Sequence, residues 1–139
     1  MSNYTEYYKK LVTEIAINSN DPNTKVGCLI TDQDNKLLST GYNSYPENCR
    51  DFTWEKNDDL DNKLLYVCHA EMNAIIKSKK DVTNGILYST LFPCNECAKI
   101  IIQSGLKKVY YINIKDNKIQ TKASKRMLDE VGIEYIQLN

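Results

Sequence analysis

One histidine, one glutamate and two cysteines stand at spacings that suit a metal-dependent reaction. His69 is the only histidine of the 139-residue chain, and Glu71 follows it two positions later. Cys94 and Cys97 form a Cys-x-x-Cys pair directly after Pro93. Residues three apart share one face of a helix, so both thiolates can meet the same ion. One imidazole and two thiolates make a three-ligand zinc site whose fourth position is left for water, as in catalytic zinc sites.

The order of these residues indicates the reaction that the zinc would serve. His-x-Glu followed by Pro-Cys-x-x-Cys is typical of zinc enzymes that remove the amino group of a nucleobase. Zinc brings the pKa of a bound water toward about 7, and the glutamate carries protons without binding the metal. Such general acid–base catalysis is worth about 10² to 10⁴ in rate. We therefore predict His69, Cys94 and Cys97 as ligands of one Zn²⁺ and Glu71 as the catalytic acid and base.

Each part of this motif has a simpler interpretation when taken alone. A Cys-x-x-Cys pair can be a redox pair or half of a structural zinc site, but a closed structural site needs a fourth ligand. The remaining cysteines that would have to supply it are Cys28, Cys49 and Cys68. A single His or Glu at a helix start is most often a solvated polar residue. The combination, with one strand between its halves, favours the catalytic site.

Composition is that of one ordinary globular domain, which we expect to span residues 1–139. Hydrophobic residues make up 42% and charged residues 26%. The net charge of zero argues against a nucleic-acid-binding surface.

The charge is divided unevenly between the two halves of the chain. Residues 1–69 carry 7 basic and 11 acidic side chains, and residues 70–139 carry 11 basic and 7 acidic side chains. Two solvated faces explain this best; association of oppositely charged subunits and a basic patch for a phosphorylated ligand are the alternatives.

The sequence contains neither a membrane-spanning pattern nor a disulfide framework. No apolar run approaches the length of about 18 residues that a spanning helix needs. Two of the five cysteines form the close pair and the others are scattered, which does not suit a set of disulfides. We therefore expect a soluble, reduced protein of the cytoplasm that binds no membrane.

Hydrophobic periodicity predicts the elements that position the motif. Four segments have helical periodicity: 4–18, 69–79, 94–104 and 121–131. Five segments have the pattern of strands: 26–31, 36–42, 85–90, 108–113 and 133–137. A hairpin turn over 32–35 joins the first two strands, and a polar loop covers 43–63. Strands and helices alternate in the second half, which predicts parallel pairing and a three-layer α/β/α sandwich.

This arrangement makes two local predictions about the helices over 69–79 and 94–104. The histidine triplet and the cysteine pair both fall at helix N-termini, where the helix dipole stabilises thiolates. In the helix that begins at His69, we expect Met72, Ile75 and Ile76 to face inward.

Four stretches of the chain resemble the deoxycytidylate (dCMP) deaminases, a family within the cytidine deaminase superfamily. The zinc motif is shared by the whole superfamily. The stretches Asp-Pro-x-Thr-x-Val-Gly, Gly-Tyr-Asn and Phe-Pro-Cys-Asn-Glu-Cys-Ala narrow the resemblance to this family, in register over nearly the whole chain. The four stretches are Ser19–Gly27, Gly41–Pro46, Val67–Ile75 and Leu91–Lys99.

The resemblance implies a five-stranded mixed sheet and hydrolysis of dCMP to dUMP and ammonia, a step toward thymidylate. It implies that Asn43 contacts the sugar and that the backbone at Ala70 holds the pyrimidine ring. It also implies a homo-oligomer, either a hexamer or a dimer, with dCTP and dTTP as effectors. Two alternatives stay open: an enzyme that accepts dCTP as well as dCMP, and a nucleic-acid-editing deaminase of the tRNA type.

The chain departs from the family pattern in two loops. Ser44 and Asn48 replace two glycines of the loop that binds nucleotide effectors in regulated relatives, and Asn tolerates glycine-type backbone conformations better than Ser. Residues 115–118 replace a Tyr-His-Asp sequence, so one contact of the pocket is either missing or supplied differently, and the number of phosphates that the enzyme accepts stays open. The candidates for a phosphate contact that charge alone suggests are Lys25, Arg50 and Lys115.

Overall fold

The computed structural model of the chain describes residues 2–57 and 59–139, so Met1 and Asp58 of the predicted domain lie outside the described residues. Its strands are β1 (Gly27–Thr31), β2 (Leu37–Tyr42), β3 (Ile86–Leu91), β4 (Lys108–Asn113) and β5 (Glu134–Gln137). Its helices are α1 (Asn3–Ala16), α2 (Ala70–Lys77), α3 (Asn95–Gln103) and α4 (Ile119–Val131), with a 3-10 turn at Lys63–Leu65.

The strands form a five-stranded mixed sheet in the order β2-β1-β3-β4-β5. β1 pairs antiparallel with β2 and β3, whereas β3, β4 and β5 run parallel. The β1–β2 connection is the predicted hairpin, whose turn is held by the Asp32 carboxylate, which accepts hydrogen bonds from the backbone of Asp34 and Lys36. The mixed sheet and the element order predicted from the sequence are therefore confirmed.

α1 alone covers one face of the sheet. Its buried side chains Tyr8, Val12 and Ile15 pack against Leu29 and Tyr88 of the central strands. The helix begins where predicted, because the Ser2 hydroxyl accepts a hydrogen bond from the backbone of Thr5 at 3.2 Å.

α2, α3 and α4 cover the opposite face, which completes the three-layer sandwich. Ala74, Ala98 and Leu128 from these three helices are fully buried in one apolar cluster with the sheet. α2 lies unusually close to β2, since a Cβ atom at Gly41 would be 2.5 Å from the backbone nitrogen of Ala74. This close approach fixes the position of the helix that carries Glu71.

The prediction that Ile76 faces inward is wrong, because its side chain is 71% exposed. The inward face of α2 is formed by Ala70, Glu71 and Ala74. Ile76 lies two residues beyond Ala74, which is about 200° around the helix and thus on the outer side. Among the residues described, no helix combines the length and the apolar character needed to cross a bilayer.

Candidate active site

The predicted metal-binding residues meet at the N-termini of two neighbouring helices. His69 is the N-cap residue of α2, and Cys94 is the N-cap residue of α3. Cys97 is the third residue of α3 and is buried. The prediction that both halves of the motif lie at helix starts is confirmed. Each position places its side chain in the positive field of a helix N-terminus.

The donor atoms of these three residues fit a tetrahedral zinc ion. They all lie within 4.8 Å of one another. The Nδ1 atom of His69 is 3.2 Å from Cys97 Sγ and 3.5 Å from Cys94 Sγ. With Zn–N near 2.0 Å and Zn–S near 2.3 Å, a tetrahedral site separates nitrogen from sulphur by about 3.5 Å. The set of one imidazole and two thiols therefore suits zinc in both chemistry and spacing.

The protonation of the two cysteines is strongly asymmetric. The hydrogen bond from the Cys97 thiol, together with one from His69, lowers the pKa of Cys94 to about 4 despite burial. The same bond to Cys94, with burial, raises the pKa of Cys97. The pair thus carries one thiolate near neutral pH, and a cation that binds both sulphur atoms must displace the second proton.

Glu71 lies beside these donors at the buried end of a cavity. Its side chain is 4% exposed and projects from the second residue of α2. Burial is the main reason that its pKa is raised above the ordinary value for a glutamate. A buried carboxylate with a raised pKa is suited to hold and release a proton near neutral pH.

The cavity has an empty volume of about 700 Å³, part of it open to solvent. Three groups of residues line it besides His69, Glu71 and Cys94. The first is the loop and strand region Asp21, Thr24, Val26 and Asn43; the second is Lys56, Lys63, Leu64 and Val67; the third is Leu91, Phe92 and Lys115. The buried members of this lining include Asp21, Asn43 and Lys63, whereas Lys56 and Lys115 are exposed.

Ala70 and Asn43, which the family resemblance implies as substrate contacts, both line this cavity. Ala70 is the first residue of α2, where backbone N–H groups have no acceptor within the helix. The Asn43 amide is already engaged: it accepts a hydrogen bond from Val26 N at 2.8 Å and donates one to Thr24 O at 2.9 Å. Asn43 therefore holds the neighbouring loop, and a sugar contact stays a prediction.

The structure shows which of the residues suggested as phosphate contacts lie at the cavity. Lys115 lines the cavity, whereas Lys25 and Arg50 are not among the described lining residues. Lys56 and Lys63 also line it, and the sequence interpretation missed both. Both belong to a segment without periodicity, where spacing does not indicate which side chains turn inward. The one signal in the sequence was the position of Lys63 shortly before the histidine triplet.

The chain is similar to one family of known proteins along most of its length. The family model described as "Cytidine and deoxycytidylate deaminase zinc-binding region" matches residues 1–113. The chain is 46% identical over 134 residues to the probable deoxycytidylate deaminase of Caenorhabditis elegans, covering 94% of this chain and 68% of that protein. It is 41% identical over 138 residues to the deoxycytidylate deaminase of Homo sapiens, covering 95% of this chain and 78% of that protein.

A solved structure agrees over the whole chain as well. It is the dCMP deaminase of the cyanophage S-TIM5, crystallised in complex with dCMP and dUMP. The TM-score is 0.83 at 30% sequence identity, and the match covers 99% of both chains.

Proposed function

This chain belongs to the cytidine and deoxycytidylate deaminase family, and on that premise we propose that residues 1–139 form one domain that hydrolyses dCMP to dUMP and ammonia. The observation that carries the proposal is the cavity, which is lined by His69, Cys94 and the buried Glu71 together with the exposed Lys56 and Lys115. The similarity to a dCMP deaminase that binds dCMP and dUMP supports the same substrate.

In this proposal His69, Cys94 and Cys97 would hold the zinc ion, which would lower the pKa of a water toward about 7 and so make hydroxide available as the nucleophile near neutral pH. Glu71 takes a proton from that water and delivers protons to N3 of the ring and to the departing amino group. Both protons of the water are thereby used: one becomes the N3–H of uracil and one leaves with ammonia. The N–H of Ala70 and the side chain of Asn43 orient the ring and the sugar.

Two lysines support a phosphorylated substrate over a free nucleoside. Lys56 and Lys115 are exposed and line the cavity. Neither forms an ion pair within the described part of the chain. A nucleotide whose base reaches Glu71 has its phosphate toward solvent, where ammonium groups attract it.

A substrate panel tests this proposal. Zinc-loaded protein is assayed by ultraviolet absorbance with dCMP, dCTP, CMP, cytidine, a tRNA and single-stranded DNA. We expect turnover of dCMP and none of cytidine or the nucleic acids. Turnover of cytidine without dCMP would reject the proposal, equal turnover of dCTP would support the bifunctional alternative, and nucleic-acid deamination would support an editing enzyme.

The phosphate contact is tested with Lys56→Ala and Lys115→Ala, each assayed over a range of dCMP concentrations. We expect KM for dCMP to rise by about tenfold, as loss of a charge-assisted contact of about 1.4 kcal/mol requires. The kcat at saturating dCMP should not change, because neither lysine takes part in the proton transfers. Lys25→Ala is the matched control, since Lys25 lies outside the described lining.

Subunit association and regulation complete the proposal. Exposed apolar side chains such as Leu60, Leu65 and Ile76 support a homo-oligomer, either hexamer or dimer, which light scattering tests. The backbone of Asn48 supports dCTP and dTTP as effectors, because its φ of 71° lies in the left-handed region that glycine, the residue of the family pattern at this position, adopts most readily. Assays with and without each nucleotide test that point.

The free thiols that zinc binding needs support a location in the reducing cytoplasm.

A further inference from the structure

A buried ion pair crosses one wall of the cavity, outside the metal-binding motif. Lys63 Nζ lies 2.6 Å from Asp21 Oδ2. The two residues are 5% and 2% exposed, and 42 positions separate them in the chain. Both line the cavity. The other ion pairs of the described residues have a partner that is at least half exposed.

Asp21 holds the loop on its own side of the cavity. Its Oδ1 atom accepts hydrogen bonds from the backbone of Asn23 at 2.8 Å and Thr24 at 3.3 Å. Its Oδ2 atom faces the Asn43 amide at 3.5 Å, and that amide in turn holds Thr24 and Val26. Asp21 is therefore the centre of a polar network that fixes one lining segment.

Lys63 is fixed in the opposite lining segment. Its backbone nitrogen donates to Glu55 O at 2.8 Å, and its carbonyl accepts from Tyr66 and Val67. It opens a 3-10 turn that is capped by Asn62. Lys63 is thus tied to the described residues 55–57 and 59–67, which contribute Lys56, Leu64 and Val67 to the cavity.

Stability alone is a weak reason for such a pair. Removing two charges from water costs several kcal/mol per ion, and apolar replacement of a buried pair is often neutral or stabilising. The position of the pair gives a better reason, because it is an ion pair that joins the two segments facing the substrate. An ammonium group also has three N–H donors, so Lys63 keeps donors beyond the one that meets Asp21.

We propose that Lys63 is a substrate-positioning residue, whose ion pair with Asp21 sets the distance between the Asn43 side of the nucleotide site and the side lined by Lys56 and Leu64. This inference rests on the proposed function, since the nucleotide is what the two walls must fit. Lys63 acts through the geometry of the cavity and takes no part in the proton transfers.

The test uses Asp21→Asn, Lys63→Met and the double variant in the full-length, zinc-loaded chain. Asparagine keeps the acceptor for the backbone of Asn23 and Thr24 but removes the charge. Each single variant leaves one buried charge unpaired and should lower Tm. The double variant buries no charge, so its Tm and zinc content should recover. Its KM for dCMP should stay raised by at least about tenfold with kcat within about threefold, because the walls are no longer joined.

A purely structural pair predicts instead that KM returns to the wild-type value together with Tm, and that result would overturn the inference. Lys63→Arg and Lys63→Gln give a second comparison should the double variant fail to fold. At equal zinc content, Lys63→Arg should keep the KM for dCMP near the wild-type value, and Lys63→Gln should raise it. A wild-type KM in the glutamine variant would overturn the inference. Lys77→Met, which breaks the exposed pair with Glu47, is the control.

Failure of the proposed function has a different signature. Wild-type protein that does not turn over dCMP rejects that substrate, and the same variants are then compared on whichever compound of the panel reacts. The persistence or recovery of KM in the double variant decides the inference for that compound in the same way.

Discussion

At the scale of single residues, Glu71 combines deep burial with a position beside three soft metal-binding donors. Burial of this carboxylate costs free energy, because it disfavours the charged form. A role in the reaction explains its position better than a role in stability does. The donors next to it are already grouped at tetrahedral spacing by the helix starts. Proton transfer by Glu71 can therefore be tested separately from metal binding by the three donor residues.

We expect Glu71→Gln to keep zinc and lose turnover. Glutamine has nearly the same shape but cannot carry a proton, so kcat should fall by about 10² to 10⁴. Metal analysis should find one zinc ion per chain, as in the wild type. Cys97→Ala is the matched comparison, and it should lose the metal. Full zinc retention by Cys97→Ala would contradict the assignment of the ligands.

Asn48 is a second residue whose backbone makes a measurable prediction. Its φ of 71° lies in the left-handed region, which costs most side chains about 1–2 kcal/mol. Asn48→Ala should therefore lower the free energy of unfolding by about 1 kcal/mol, while Asn48→Gly should stay within about 0.5 kcal/mol of the wild type. Urea denaturation measures both. Equal stability of the two variants would show that the backbone here is unstrained.

At the scale of elements, contact between β2 and α2 sets the place of the catalytic helix. A Cβ atom at Gly41 would overlap Ala74 N at 2.5 Å and Ala70 O at 2.6 Å. A Cβ atom at Gly27 would overlap Val12 O in α1 at 2.4 Å. The two glycines are thus equivalent in crowding but differ in the helix that they touch.

We expect Gly41→Ala to reduce kcat by about tenfold or more, since it displaces α2 and with it Glu71. Both Gly41→Ala and Gly27→Ala should lower the free energy of unfolding by about 2–3 kcal/mol. Gly27→Ala should leave kcat of the folded protein unchanged, because α1 supplies none of the described lining residues. Equal loss of kcat in both variants would mean that global stability, and not the position of α2, limits the reaction.

Most elements could be predicted because their apolar residues recur with a clear period. α1, α3 and α4 each present an apolar face at helical spacing, and Ser2, Gly105 and Gly132 mark where helices begin or end. The exception inside a helix is Ile76, whose inward neighbours are two alanines and a glutamate. Periodicity assigned the inward face to the largest apolar residues, whereas close packing against Gly41 required the smallest.

The metal-binding motif could be recognised from spacing because its residues are local to two helix starts. The Lys63–Asp21 pair could not, since it joins two irregular segments 42 positions apart and each residue alone has the sequence context of a solvated charge. The engagement of the Asn43 amide by Thr24 and Val26 was hidden for the same reason. Side-chain partners in loops depend on how the sheet brings those loops together.

At the scale of the whole molecule, the metal site joins α2 to α3 over one face of the sheet. A ligand that binds only the folded state stabilises it by about 4 kcal/mol at a thousand times its Kd. Removal of zinc with a chelator should therefore lower Tm by about 10 °C, and zinc should restore it. Calorimetry measures the shift, with Cys97→Ala as a variant that should not respond. An identical Tm with and without the metal would contradict a site shared by the two helices.

The aromatic residues of the loop that precedes the 3-10 turn have an optical consequence. Trp54, the only tryptophan of the chain, stacks on Tyr45 with ring centroids 4.2 Å apart. It lies two residues before Lys56, which lines the cavity. Tryptophan emission should therefore shift when dCMP is titrated into zinc-loaded Glu71→Gln, which binds the nucleotide without consuming it. Unchanged emission at saturation would show that the surroundings of Trp54 do not respond to dCMP. A shift would measure binding of dCMP directly, without any turnover.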